Sequence, residues 1–126
     1  MKQKSISKLK AKLWEAFALY IKKQHSVDGY CKCFTCGKSL KIGTSDCQAG
    51  HYYSQGGFPA LRFTEDNVRP QCYRCNVHLN GNTQIFRENL IEEIGTIRVA
   101  LLDKHRHDPV KWSRSELEDK IKYYSE

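Results

Sequence analysis

Cys33-Phe34-Thr35-Cys36 and Cys72-Tyr73-Arg74-Cys75-Asn76 enclose residues 37–71, and inside that span lie Ala49-Gly50-His51-Tyr52 and Asn67-Val68-Arg69. A Cys-x-x-Cys turn can aim both of its sulfurs at one ion. Two such turns supply the four thiolates of a closed, tetrahedral zinc site. Cys33, Cys36, Cys72 and Cys75 are therefore the expected ligands of a structural Zn²⁺. The long intervening segment must form a hairpin of its own, which brings His51 and Asn67 into one small unit. Cys31 and Cys47 read as plain reduced thiols.

The rest of the chain is in keeping with such a staple. A length of 126 residues suits one domain, and a modest core gains from a metal. Lys and Arg number 21 against 14 Asp and Glu, a formal charge of +7, which favours polyanionic partners such as nucleic acid. Six cysteines could instead form disulfides, but that framework needs a secretory context. The apolar patch Leu13 to Ile21 is interrupted by Glu15 and followed by Lys22-Lys23, so it makes a poor signal peptide and is too short to cross a membrane. The expectation is a protein of the reducing cytoplasm with no membrane partner.

Residues 5–24 read as an amphipathic helix. Leu9, Leu13, Phe17 and Tyr20 recur at helical spacing, and Trp14 and Ile21 widen the stripe. Lys8, Lys12 and Lys22 lie on other faces, as a solvated surface or as phosphate contacts. Tyr30 to Cys33 and Ala49 to Ser54 read as short strands, with Leu40 to Asp46 as a polar connection. Beyond Cys75 the chain turns helical. Phe86, Leu90, Ile94, Ile97 and Leu101 form one apolar stripe, in which Gly95 is a mild defect. Asp108-Pro109 ends it. Ser113 and Glu116 then form a capping box, with Trp112 and Leu117 as its hydrophobic staple.

His51 is the candidate general base, because a neutral imidazole near pH 7 can take a proton from water. Asn67 could hold that imidazole in one tautomer, or serve only as a turn residue after Asp66. Asn76 has its position fixed by Cys75. It could offer a carbonyl oxygen to a divalent ion, or merely cap the helix after the knuckle.

These residues together resemble the HNH endonucleases, whose core is a ββα-metal finger. The match to the phage NinG family, also called Rap, is more specific. It includes Leu61-Arg62-Phe63, Glu65-Asp66-Asn67-Val68, Gln71-Cys72, Cys75-Asn76, Gly81-Asn82, Ile94-Gly95 and Trp14-Glu15-Ala16-Phe17. The resemblance implies an α+β fold: a zinc-stapled, HNH-like ββα-metal finger flanked by an N-terminal helix and two C-terminal helices. Residues 1–126 would be a single domain, with the helix in 1–28, the finger in 29–80 and the C-terminal helices in 81–126.

The function it implies is metal-dependent cutting of branched DNA, such as Holliday junctions, in a phage-infected bacterial cell. His51 would be the base, Asn67 its orienting partner and Asn76 a ligand of a catalytic Mg²⁺ or Mn²⁺. Many HNH enzymes carry an Asp or His ligand just before the catalytic His, where this chain has Gly50. His78 is the leading substitute, ahead of Asp46 and Glu65. Arg62, Arg69 and Arg74 are the expected phosphate contacts, and DNA, a second copy of the chain and phage recombination proteins are the expected partners. The alternative is a zinc-stapled DNA-binding module that does not cut.

Overall fold

The computed structural model of the protein describes residues 4–126. Helix α1 spans Ile6–Gln24. Ser5 caps its start, the hydroxyl accepting the Lys8 N–H at 3.2 Å, and Lys22 and Lys23 sit where the helix dipole favours positive charge. Its apolar stripe, Leu9, Leu13, Phe17 and Ile21, is buried. The stripe packs against helix α4, Arg114–Ser125, near the far end of the chain. The Ser113 hydroxyl caps α4 by accepting the Glu116 N–H at 3.1 Å, as the capping-box reading requires. Leu117 from α4 and Phe63 and Val68 from the finger complete this core, and Phe17 meets both Phe63 and Tyr124 edge to face.

Two small antiparallel sheets carry the finger. Strands β1 (Ser26–Val27), β2 (Tyr30–Lys32) and β3 (Ser39–Lys41) form the first, in that order. The polar connection expected at Leu40 is therefore partly a strand, whose Leu40 turns inward against Cys31. Strands β4 (Gln48–His51) and β5 (Val68–Gln71) form the second, pairing Gly50 with Arg69 and His51 with Val68. A wide π-helical turn, Arg74–His78, follows the second knuckle.

The C-terminal region differs from the sequence expectation. The single stripe through Gly95 is in fact two helices, α2 (Thr83–Ile94) and α3 (Thr96–His105), so three helices follow the finger and not two. Gly95 has φ +89°, in the left-handed region, and it ends α2 instead of passing through it. The break shifts the phase of the stripe. Val99 and Leu102 are buried with Phe86, Leu90 and Leu61, whereas Ile97 is 78% and Leu101 48% exposed. Among the described residues no helix is long and apolar enough to cross a membrane.

A charged clamp ties α2 and α3 to the loop after β4. Arg87 donates twice to the Asp103 carboxylate, at 2.9 and 2.8 Å, and once to the Tyr52 hydroxyl at 2.9 Å. The Tyr53 hydroxyl also donates to Asp103. The Arg87 hydrogen bonds hold the Asp103 carboxyl down at about 2, against the desolvation that burial imposes. Stability from this group is thus fully present above its ordinary value of 3.8 and is lost as pH falls toward about 2. Asp103→Asn should lower unfolding stability at neutral pH by about 1–2 kcal/mol. In urea melts the gap from wild type should close with acidification over that window. A gap that stays constant down to the acid end would show that the charge is irrelevant.

Candidate active site

Strand pairing assembles the thiol cluster. Cys33 follows β2 and Cys72 follows β5, and the Phe34 N–H to Pro70 carbonyl bond, 2.8 Å, draws the two knuckles together. Gly37, at φ +80°, closes the first knuckle with its N–H on the Cys33 carbonyl at 2.9 Å. The four Sγ atoms of Cys33, Cys36, Cys72 and Cys75 lie within 4.8 Å of one another, and Cys36 and Cys72 approach to 3.7 Å. Tetrahedral zinc with Zn–S near 2.3 Å needs sulfurs roughly 3.8 Å apart. The donor set therefore fits a structural metal such as zinc.

The local electrostatics agree with that fit. Burial opposes ionisation of Cys33. Hydrogen bonds from the Thr35 hydroxyl and from backbone N–H groups outweigh it and bring the thiol to about 6. Cys36 is pushed up to about 12, by burial first and then by the neighbouring thiols. A divalent cation lets all four ionise together. Cys31 lies outside the set, donating its S–H to the Lys22 carbonyl at 3.2 Å, and burial pushes it up to about 11.

Beside the cluster opens a cleft of about 650 Å³, whose lining includes Trp14, Lys22, Gln48, His51, Asn76 and Asn80. His51 ends β4 and reaches back to the Arg62 carbonyl, with Nε2 at 3.0 Å. A carbonyl can only accept, so Nε2 carries the proton and the neutral ring has its lone pair at Nδ1. Burial lowers the His51 pKa below the ordinary histidine value. The Arg62 charge adds to that effect, and the bond to the Arg62 carbonyl opposes it. The ring is thus held neutral at pH 7.

The other sequence candidates fall in different places. Asn67 is fully buried and does not touch the imidazole. Its Oδ1 accepts the Tyr53 N–H at 2.9 Å, and its Nδ2 donates to the Tyr53 and Leu61 carbonyls at 3.0 and 3.1 Å. It fixes both ends of the loop that leads to Arg62, and so reaches His51 only through backbone. Asn76 lies in the cleft, where Nδ2 donates to Gln48 Oε1 at 2.8 Å and leaves Oδ1 for another partner. His78 is exposed and outside that lining, edge-on to the Tyr73 ring at 5.0 Å. Asn80 lines the cleft instead.

Asp46 is bound to Lys38 and to the Tyr73 N–H, and Glu65 accepts from the Tyr124 hydroxyl. Among the described residues, no carboxylate lines the cleft. Arg69 is a structural residue and not a surface phosphate contact. It is 4% exposed and bonded to Glu93 at 2.9 Å and to two backbone carbonyls. Arg62 is half-buried over the Phe63 ring, with Nε unpartnered, and Arg74 is exposed.

Gly50 has a packing role. A Cβ there would lie 1.8 Å from Gln71 Oε1. Gln71 is fully buried and donates to the Thr35 hydroxyl at 3.1 Å and the Gly81 carbonyl at 2.8 Å, which binds the first knuckle to the turn after the second. The backbone approach expected at Gly50 is thus made to Gln71. Sequence reasoning missed Trp14 as a cleft residue, along with Lys22, Gln48 and Asn80. The available signal was the four-residue spacing of Trp14, Ala18 and Lys22 beside the core stripe.

The sequence profile of the family described as Bacteriophage Lambda NinG protein matches residues 1–126, and the chain belongs to that family. It is 36% identical over 84 residues to "Protein ninG" of Salmonella phage P22, covering 67% of this chain and 39% of that protein. It is 34% identical over 84 residues to the lambda protein of the same name, with the same coverage. The chain therefore spans about two-fifths of the length of the curated relatives it matches. No solved structure gives a significant match.

Two outcomes are expected from this geometry. Elemental analysis of reduced, folded protein should find one zinc per chain, and Cys72→Ser should abolish both the zinc and the folded finger, since binding energy here is folding energy. Folded protein free of zinc would contradict the fit. Gly50→Ala should cost about 1–3 kcal/mol in a denaturant melt of the metal-loaded protein, because the buried Gln71 must move. A wild-type melt would mean that Gln71 swings aside freely.

Proposed function

We propose that this NinG-family chain is a metal-dependent DNA endonuclease of the HNH type, acting on branched recombination intermediates such as Holliday junctions. One observation carries the reading. His51 stands in an open cleft with Nε2 committed to a backbone carbonyl, so Nδ1 is available as a proton acceptor. A base for hydrolysis needs that arrangement: the right nitrogen free, and a neutral ring at working pH. The preference for branched DNA is supported by the family resemblance, and the charge of +7 supports a polyanionic substrate.

In this reading Nδ1 of His51 takes a proton from a water. The water oxygen forms a bond to phosphorus while the bond to the 3′ oxygen breaks. Asn67 keeps the Arg62 carbonyl in place by pinning the loop before it. Arg62, whose charge acts on the base, and Lys22, which lines the same cleft, are suited to meet phosphate charge. The oxygens of Asn76, Asn80 and Gln48 are hard, neutral donors that suit Mg²⁺ or Mn²⁺. Such an ion would supply stabilisation of charge on the leaving oxygen. With no carboxylate in the cleft, substrate phosphate must provide the anionic ligands. The Gly50 position cannot supply one, because Gln71 fills the space a side chain would need.

That missing carboxylate is also the observation favouring the second reading, a zinc-stapled DNA-binding module that does not cut. Nicking of a four-way junction across a metal titration separates the two. His51→Ala should cut about 10²–10⁴-fold more slowly, with zinc content and DNA affinity unchanged. Asn76→Ala should recover part of its loss at high Mg²⁺ or Mn²⁺. The wild-type rate should fall with acidification at a midpoint below the ordinary histidine value of 6.5, since the depressed pKa keeps the base unprotonated to lower pH. Wild-type cutting by His51→Ala would remove this site from the mechanism. Tight DNA binding with no cutting under any metal would establish the second reading.

A further inference from the structure

Helix α1 precedes the thiol-stapled finger in sequence, yet it forms one wall of the cleft. Its core contact uses Leu9, Leu13, Phe17 and Ile21. Trp14, Ala18 and Lys22 recur every fourth residue on an adjoining face, and all three line the cleft. The Trp14 indole lies nearly flat on the His51 imidazole, with ring centroids 4.8 Å apart and planes 22° from parallel. The indole is itself seated against Phe17, at 6.0 Å, so the contact is backed by the core.

Two different contacts therefore act on one ring. The Arg62 carbonyl, 3.0 Å from Nε2, selects which way round the imidazole sits, because the flipped ring would present carbon there. That bond alone leaves the ring free to rock about its Cβ–Cγ axis. A flat stack alone would fix the plane but accept either flip. Acting together, they determine where Nδ1 points.

We propose that Trp14 is a positioning residue for His51, setting the plane of the imidazole so that Nδ1 faces the cleft. The proposal rests on the reading of His51 as the base. The stack also suits both charge states of the ring. An indole face attracts an imidazolium, so His51 can stay seated after taking a proton in a site where burial and Arg62 disfavour the cation. A residue outside the finger motif thereby becomes part of the working site, and α1 becomes more than a cover for the core.

The test uses the zinc-loaded full chain with Trp14→Leu and Trp14→Phe. Long-range ¹⁵N–¹H spectra of the histidine rings report tautomer and ring current, and junction nicking at saturating DNA reports rate. Wild type should show His51 as the Nε2–H tautomer, with its ring protons displaced upfield by the indole. Trp14→Leu should lose the displacement, broaden the His51 ring signals as the plane rocks while the Arg62 carbonyl keeps the Nε2–H tautomer, and nick roughly 10-fold or more slowly at unchanged DNA affinity. Trp14→Phe, with a smaller aromatic face, should fall between. Sharp His51 ring signals and a wild-type rate in Trp14→Leu would overturn the proposal. If the Leu variant loses α1 by circular dichroism, Trp14→Phe decides, and wild-type ring-proton positions and rate there would overturn it equally. If the wild-type chain does not nick at all, the reading of His51 as a base fails. The spectra then still decide whether Trp14 holds the ring.

Discussion

Four sulfurs gathered within reach of one ion join the first turn of the finger to its last, and every other feature of the cleft hangs from that junction. Residues 37–71 leave one knuckle and must return to the other, and within them β4 and β5 pair edge to edge as antiparallel neighbours. Gln71 repeats the connection in hydrogen bonds, from the first knuckle at Thr35 to the turn at Gly81. Its buried amide fills the space that a Cβ at Gly50 would need. The staple thus dictates the residue before His51, and in doing so excludes an acidic side chain from that edge of the cleft. In a small domain with a short core, a metal held by such a cluster couples its binding energy to folding.

Much of this was legible because it is local. The Ser5 and Ser113 caps, the stripe of α1 and the Cys-x-x-Cys turns depend on residues within a few positions of one another. The misreadings share the opposite character. Gly95 fits a continuous helical stripe if judged by its small propensity penalty, and only its left-handed φ reveals a break. Arg69 has the composition of a surface contact, yet Glu93, on a helix that sequence alone could not dock there, draws it inside. Asn67 sits beside His51 in pattern, but its amide satisfies three backbone groups of a loop instead of the ring.

His78 illustrates a subtler error. A spacing of two from Asn76 puts side chains together only on a strand. The chain through Cys75 makes a π-helical turn, Arg74–His78, on which residues two apart face away from each other. Asn80 lies beyond that turn with φ +50°, and it joins Asn76 in the cleft lining.

The cleft that results is polar and cationic but carries no fixed negative charge. Lys22 and a neutral imidazole line it together with amide side chains, the Arg62 charge acts on that imidazole, and Asp46 and Glu65 are engaged with Lys38 and Tyr124. Such a site holds a free divalent ion weakly, since hard cations need anionic oxygen for tight binding. It holds a phosphodiester and an ion together much better, because each neutralises what the other requires. Under the proposed function, metal and DNA would then bind with positive coupling, and by reciprocity each would raise the affinity for the other by the same factor. The absence of a carboxylate, which at first favours a non-cutting module, is therefore equally consistent with an enzyme that assembles its metal site only on its substrate.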